Sequence, residues 1–244
     1  MTKVHRLATM TWDDVPPKSL VLVPMGSTEQ HGPHLPFETD TLIATAVAES
    51  IAKAMNGEGV DVILAPAIAY GASGEHQEFP GTISIGHDAL RMQIVELVRS
   101  LSTWAGRIVF VNGHGGNVKS LASAIEEMRQ EQHDVAWLAC ILESAGDAHA
   151  GSIETSVMLH LAPERVRMDK AEPGQLASLK EILPLLMSSG VKAASPSGVL
   201  GDPTTAAADI GQQLVDQLVA SGAALITYAA VDDQGRLVSS ELAS

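Results

Sequence analysis

Four short apolar runs, at 20–24, 61–66, 107–111 and 135–141, alternate with stretches whose apolar residues recur at helical spacing. After the first run, Ala44, Val47, Ala48, Ile51 and Met55 mark a helix over 40–56 that stops at Asn56-Gly57. After the second, Leu90, Ile94, Leu97, Val98 and Leu101 mark a helix over 88–104, and another is expected over 118–132. Strands that return through helices predict a mostly parallel sheet, in an α/β fold, with both faces covered. Further on, the pattern predicts a helix from Ser152 to before Pro163, one near 175–189 and one over 204–221. Ala223-Ala224-Leu225-Ile226-Thr227-Tyr228 reads as a last strand, and Asp232-Asp233-Gln234-Gly235 as a turn. No repeat or shift in composition divides the 244 residues, so a single domain over 1–244 is expected.

Parallel sheets bind ligands beyond the carboxyl ends of their strands. The polar loops at 26–40, 70–82, 112–117 and 143–154 fall there, and they carry Glu29, His31, Asp40, His114, His149 and Glu154. All are oxygen or imidazole donors, a set that suits zinc, manganese or ferrous iron. Three carboxylates and two imidazoles suffice for two ions sharing one carboxylate, with His149 left over. Such a pair can activate water and polarise the carbonyl it attacks.

Each residue also has a plainer reading. Asp40 caps the helix it begins, and Glu154 favours the dipole of its own helix. His31 and His114 are hydrogen-bonded loop histidines. Gly113-His114-Gly115-Gly116-Asn117 is a phosphate-binding nest, although it lacks the Lys and Ser/Thr of a P-loop. Ser73 lacks the Gly-x-Ser-x-Gly surroundings of a nucleophile. The joint placement at strand ends favours the metal. Glu75 and His76, in another loop of the same end, either touch substrate or brace the centre, or serve structure alone.

Charge and composition narrow the partners. A net charge of −14 repels nucleic acid and anionic membranes, and 3% aromatic residues leave little for base stacking. Cys140 is the only cysteine, so no intrachain disulfide forms. The first residues lack the apolar core of a secretory signal, and no run is long enough for a membrane span. A cytoplasmic protein is expected.

Four motifs together resemble the creatininase (creatinine amidohydrolase) family. They are Gly26-Ser27-Thr28-Glu29-Gln30-His31-Gly32-Pro33-His34-Leu35-Pro36 with Asp40 behind it, Phe79-Pro80-Gly81-Thr82-Ile83-Ser84, Asn112-Gly113-His114-Gly115-Gly116-Asn117, and His149-Ala150-Gly151-Ser152-Ile153-Glu154-Thr155-Ser156. The resemblance implies a three-layer α/β/α sandwich, a homo-oligomer and two divalent metal ions that serve hydrolysis of a carbon–nitrogen amide bond. It implies Glu29 and His114 on one ion, His31 on the other, Asp40 between them and His149 as catalytic histidine. The creatinine-hydrolysing members draw a further carboxylate from the position of Gly116, and Glu154 is the expected replacement here.

Those members also close over their ring with tryptophan, where this chain has Ser144-Ala145-Gly146-Asp147. The stretches at 67–77 and 198–205 are more similar to the mycofactocin-system members. That resemblance implies a peptidase acting on a modified ribosomal precursor peptide, from which it releases the C-terminal dipeptide. The rivals are a cyclic-amide or formamide hydrolase and, in another class, a catalytically silent metal-binding scaffold.

Overall fold

Alternation along the strands sorts their side chains between two cores. The computed structural model describes residues 4–140 and 147–239. Five parallel strands, β1 (His5–Arg6), β2 (Leu20–Met25), β3 (Val62–Leu64), β4 (Arg107–Asn112) and β5 (Val135–Ala139), lie in the order β1-β3-β2-β4-β5. Val21, Val23, Ile63, Ile108, Phe110 and Trp137 point to one face, where they meet α2 (Gly86–Leu101) and α3 (Val118–Gln130). Leu22, Leu64, Val109, Val111 and Leu138 point to the other, against α1 (Thr39–Gly57), α4 (Ser152–Leu161) and α6 (Ala208–Tyr228). The result is a three-layer α/β/α sandwich with both sheet faces buried, as continuous apolar strands require. Among the described residues, no helix is long and apolar enough to cross a membrane.

The strand expected at 223–228 is instead the end of α6. Buried Gly211, Val215, Leu218, Gly222 and Ile226 keep helical spacing through the Gly-Ala-Ala step. Gly222 is there for close packing, because a β-carbon would lie 2.6 Å from Ile51 Cδ1 of α1. The helix near 175–189 starts later and continues through a kink at Gly190 (φ +72°), as α5 (Leu179–Ala194). The expected turn after Asp232 holds, with the Asp232 carboxylate accepting from the backbone of Gln234 and Arg236. It joins a small antiparallel pair, β6 (Ala230–Val231) and β7 (Leu237–Val238). β1 is too short to have a sequence signature. Ile141, the last residue of the run at 135–141, lies outside the described residues, as do Ser144-Ala145-Gly146.

The register delivers the loops to one place. Met25 and Asn112 are partners at the carboxyl ends of β2 and β4. Gly113 N–H donates to the Met25 carbonyl (2.8 Å) and Gly26 N–H to that of Ile68 (2.9 Å). Asn117 fastens the same corner, donating to Gly26 O (2.9 Å) and accepting from Ala72 N–H (3.0 Å).

Candidate metal centre

Asp40 sits in the first turn of α1, yet its carboxylate caps nothing. It turns inward to accept from Ser27 Oγ (2.5 Å) and His31 Nε2 (2.9 Å). His31 Nδ1–H donates to the Glu29 carbonyl (3.1 Å), which fixes the ring and directs Nε2 to Asp40. His114, just beyond β4, places Nδ1 at 3.3 Å from Asp40 Oδ2 and Nε2 at 3.2 Å from Glu29 Oε2. Glu154, in the first turn of α4, accepts from Ala150 N–H and also faces the centre. It thus stands both in the first turn of its helix and within reach of His31 and Asp40.

The donors fall into overlapping groups, each with ligand atoms within 4.8 Å of one another: Glu29–Asp40–His114, His31–Asp40–Glu154 and Glu29–His31–His149. Asp40 is common to the first two. Glu29, His31, Asp40 and His114 are buried, and Glu154 is partly so.

Two observations show that a cation fits this donor set. Neither oxygen of the fully buried Glu29 carboxylate has a hydrogen-bond partner, and an orphaned buried carboxylate is costly. Burial pushes the Glu29 pKa up to about 7, with His114 opposing. Burial would depress His31, but the Asp40 carboxylate more than offsets it and raises His31 to about 10. Burial also opposes ionisation of Asp40, and His31 reverses that, holding Asp40 down at about 2. His114 is raised as well, burial being outweighed by Glu29 and Asp40. Protons on two histidines thus balance the buried carboxylates in the positions where cations would stand.

His149 lies behind this group, its ring centroid 4.4 Å from that of His31 and 4.5 Å from that of His76. Its Nε2–H donates to the Gln30 carbonyl (2.8 Å), which leaves Nδ1 bare at 3.8 Å from Glu29 Oε1. Burial depresses its pKa to about 3, so the ring is neutral. His76, also depressed by burial, is 3.4 Å from Glu29 Oε1. Glu75 lies at the open side, with Oε1 3.7 Å from His114 Nε2.

Gln30 received no role from the sequence, although it stands between two donors. Its Nε2 lies 2.8 Å from His76 Nδ1 and 3.1 Å from the Gly198 carbonyl, while Oε1 accepts from Gly32 N–H (2.8 Å). A buried amide flanked by ligands was the available signal. The 198–205 stretch does reach the site, since Leu200 pairs with His149. Asp202 caps the short turn at Pro203–Thr205, accepting from Thr204 N–H at 2.9 Å.

The centre opens into a cavity of about 1110 Å³. Glu29, Asp40, His114, His149 and Glu154 line one end, and Leu179, Leu183, Leu186 and Met187 of α5 line the other.

The sequence profile described as creatinine amidohydrolase matches residues 8–226. The mycofactocin precursor peptide peptidase of Mycobacterium ulcerans (strain Agy99) is 55% identical over 203 residues, covering 82% of this chain and 81% of that one. The protein of the same name from Mycobacterium tuberculosis H37Rv is 50% identical over 222 residues, 88% of each chain. A solved structure, a putative creatinine amidohydrolase from Bacteroides fragilis NCTC 9343, superposes with a TM-score of 0.76 at 27% identity, covering 92% of this chain and 96% of that one. Fold, motifs and relatives agree: the chain belongs to the creatininase family, which hydrolyses amide bonds.

Proposed function

We propose that this chain is a two-metal peptidase that releases the modified C-terminal dipeptide of a mycofactocin precursor peptide. The observation that carries the reading is the single cavity joining the donor cluster to the apolar wall of α5. At about 1110 Å³ it exceeds the ~300–1000 Å³ usual for small-molecule sites, and a peptide fills such a space where a small cyclic amide would not. The two relatives identical at 50–55% carry the matching name.

In this reading Glu29 and His114 would hold one ion and His31 and Glu154 the other, with Asp40 shared by the two donor groups. Zinc, ferrous iron and manganese all suit these donors. Bound there, the ions would supply activation of the attacking water and polarisation of the scissile carbonyl. The chain's own groups then handle protons. His149, neutral with Nδ1 bare, accepts a proton from the water and passes it to the leaving nitrogen. The new bond is between water oxygen and carbonyl carbon, the carbon–nitrogen bond breaks, and an acid and an amine result. Gln30 keeps His149 and His76 in register throughout. A single domain working as a cytoplasmic homo-oligomer completes the proposal.

The test is to incubate metal-replete protein separately with the modified precursor peptide and with creatinine, following products by mass. Loss of a dipeptide from the peptide alone is expected. Turnover of creatinine alone would overturn the peptidase reading, and turnover of neither would favour the scaffold.

A further inference from the structure

Position 116 cannot carry a side chain. A β-carbon on Gly116 would overlap the Ala72 carbonyl oxygen and His114 Nε2, and would lie 2.7 Å from Glu75 Oε1. The space beside His114 is therefore already taken by a carboxylate, one that arrives from a different loop. The short turn at Gly74–His76 holds it there from both sides. On one side, buried His76 meets Gln30. On the other, α5 passes so close at Gly190 that a β-carbon would be 3.0 Å from the Glu75 carbonyl oxygen.

Glu75 is also short of charge partners. Among the described residues its only ion-pair contact is His114, at 3.7 Å, and no lysine or arginine faces it. Glu29 Oε2 reaches the same nitrogen from 3.2 Å. Two donors held by one tetrahedral ion at ~2.1 Å each lie about 3.4 Å apart, and each carboxylate stands near that distance from His114 Nε2; Glu75 lies outside the groups whose atoms are all within 4.8 Å of one another, so its carboxylate must swing inward to join Glu29 on an ion.

We infer that Glu75 supplies a further carboxylate to the Glu29–His114 side of the metal centre, and that glycine at 116 is required to leave it room. The inference rests on the two-metal reading. In consequence, a carboxylate rooted at 116 and one delivered from 75 exclude each other.

The experiment measures metal rather than turnover. Metal-free protein is titrated with Mn(II), and separately with Co(II), for stoichiometry, affinity and visible absorption; circular dichroism checks the fold. Glu75→Gln keeps the size of the side chain and is expected to weaken one of the two ions by tenfold or more. The Co(II) band of that ion should change while the other is untouched. Gly116→Ala should weaken the same ion by displacing Glu75. Should that variant fail to fold, Glu75→Gln and Glu75→Asp decide alone, the aspartate being too short to restore the ion. If Glu75→Gln binds both ions at wild-type affinity with an unchanged Co(II) spectrum, the inference is wrong. If the unaltered protein itself binds fewer than two ions, the two-metal reading has failed instead.

Discussion

One end of the cavity is made of side chains with almost no freedom. Glu29, His31, Asp40 and His114 are 0–6% exposed, root within a few residues of strand or helix ends and are fastened by backbone hydrogen bonds. At the other end α5 presents Leu183 and Met187 at 44% and 81% exposure, and only Ile182 and Val191 bury it against Leu200 and its neighbours. Pro184 and the positive-φ Gly190 interrupt its helix besides. The contrast separates two tasks. Ion geometry tolerates errors of a fraction of an ångström, so its donors are built into a buried, hydrogen-bonded corner of the sheet. The tail of the proposed peptide substrate would ask only for apolar area, which a lightly anchored helix can offer.

The hardest blow to the rigid end is Asp40→Ala. Because Asp40 is shared by both donor groups, both ions should be lost and turnover should fall below detection, as metal analysis and peptide assays would read. Asp40→Asn, closer in shape, separates this from unfolding. Retention of two ions in either variant would remove Asp40 from between them.

The metal-free centre should also show its protons. The Glu29 pKa is raised from 4.5 to about 7 by burial, so the stability it contributes is present below pH 4.5 and lost as pH rises through 7. His31, raised from 6.5 to about 10 by Asp40 against the effect of burial, contributes below pH 6.5 and loses that as pH rises through 10. Above pH 7 the depressed His76 and His149 are neutral whether folded or unfolded, and His31 alone sets the direction, so the melting temperature of metal-free protein should fall from pH 7 to pH 9. Divalent ions should reverse the fall. Binding must displace these protons, and affinity should climb with pH by about tenfold per unit for each proton released. Calorimetry in buffers of different ionisation enthalpy would count them. A binding enthalpy independent of buffer would contradict the picture of protons standing in for cations.

The braces should matter less than the ligands. Gln30→Leu, which removes the amide beside His76 and keeps the backbone carbonyl that holds His149, is expected to cost about 10–100-fold in turnover or metal affinity. The test is whether kcat falls while the fold, by circular dichroism, stays. An unchanged kcat would mean that the residue-30 carbonyl and Leu200 hold His149 without the amide.

The same contrast explains what the sequence could reveal. Strands buried on both faces and helices with one apolar stripe announce themselves, and so do donors crowded into a loop at a strand end. The 223–228 error arose because Gly222 breaks a helix pattern locally, whereas its reason, the approach of Ile51, is distant in sequence. Gln30 goes unread, and Glu75 is read only as a substrate contact, a brace or a structural residue, for a related cause. Their roles depend on which loops meet, and a departure such as Gly116 shows only that something is absent at that position. What fills the space becomes visible when residue 75 is seen beside it.

The smallest effects belong to the apolar end. Met187→Ser and Leu183→Ser alter side chains that are already exposed, and each should change stability by no more than about 0.5 kcal/mol. Metal content should be unaffected, because the nearest donors hang from other elements. What should move is the use of substrate. Each serine removes apolar area from the wall that a peptide tail would cover, so KM for the precursor peptide should rise several-fold with little change in kcat, the pattern of lost binding that is uniform along the reaction. Shortening the peptide from its amino-terminal side should then erase the difference between variant and parent. If the variants lower kcat instead, α5 helps to place the donors, and the division of labour between the two ends fails.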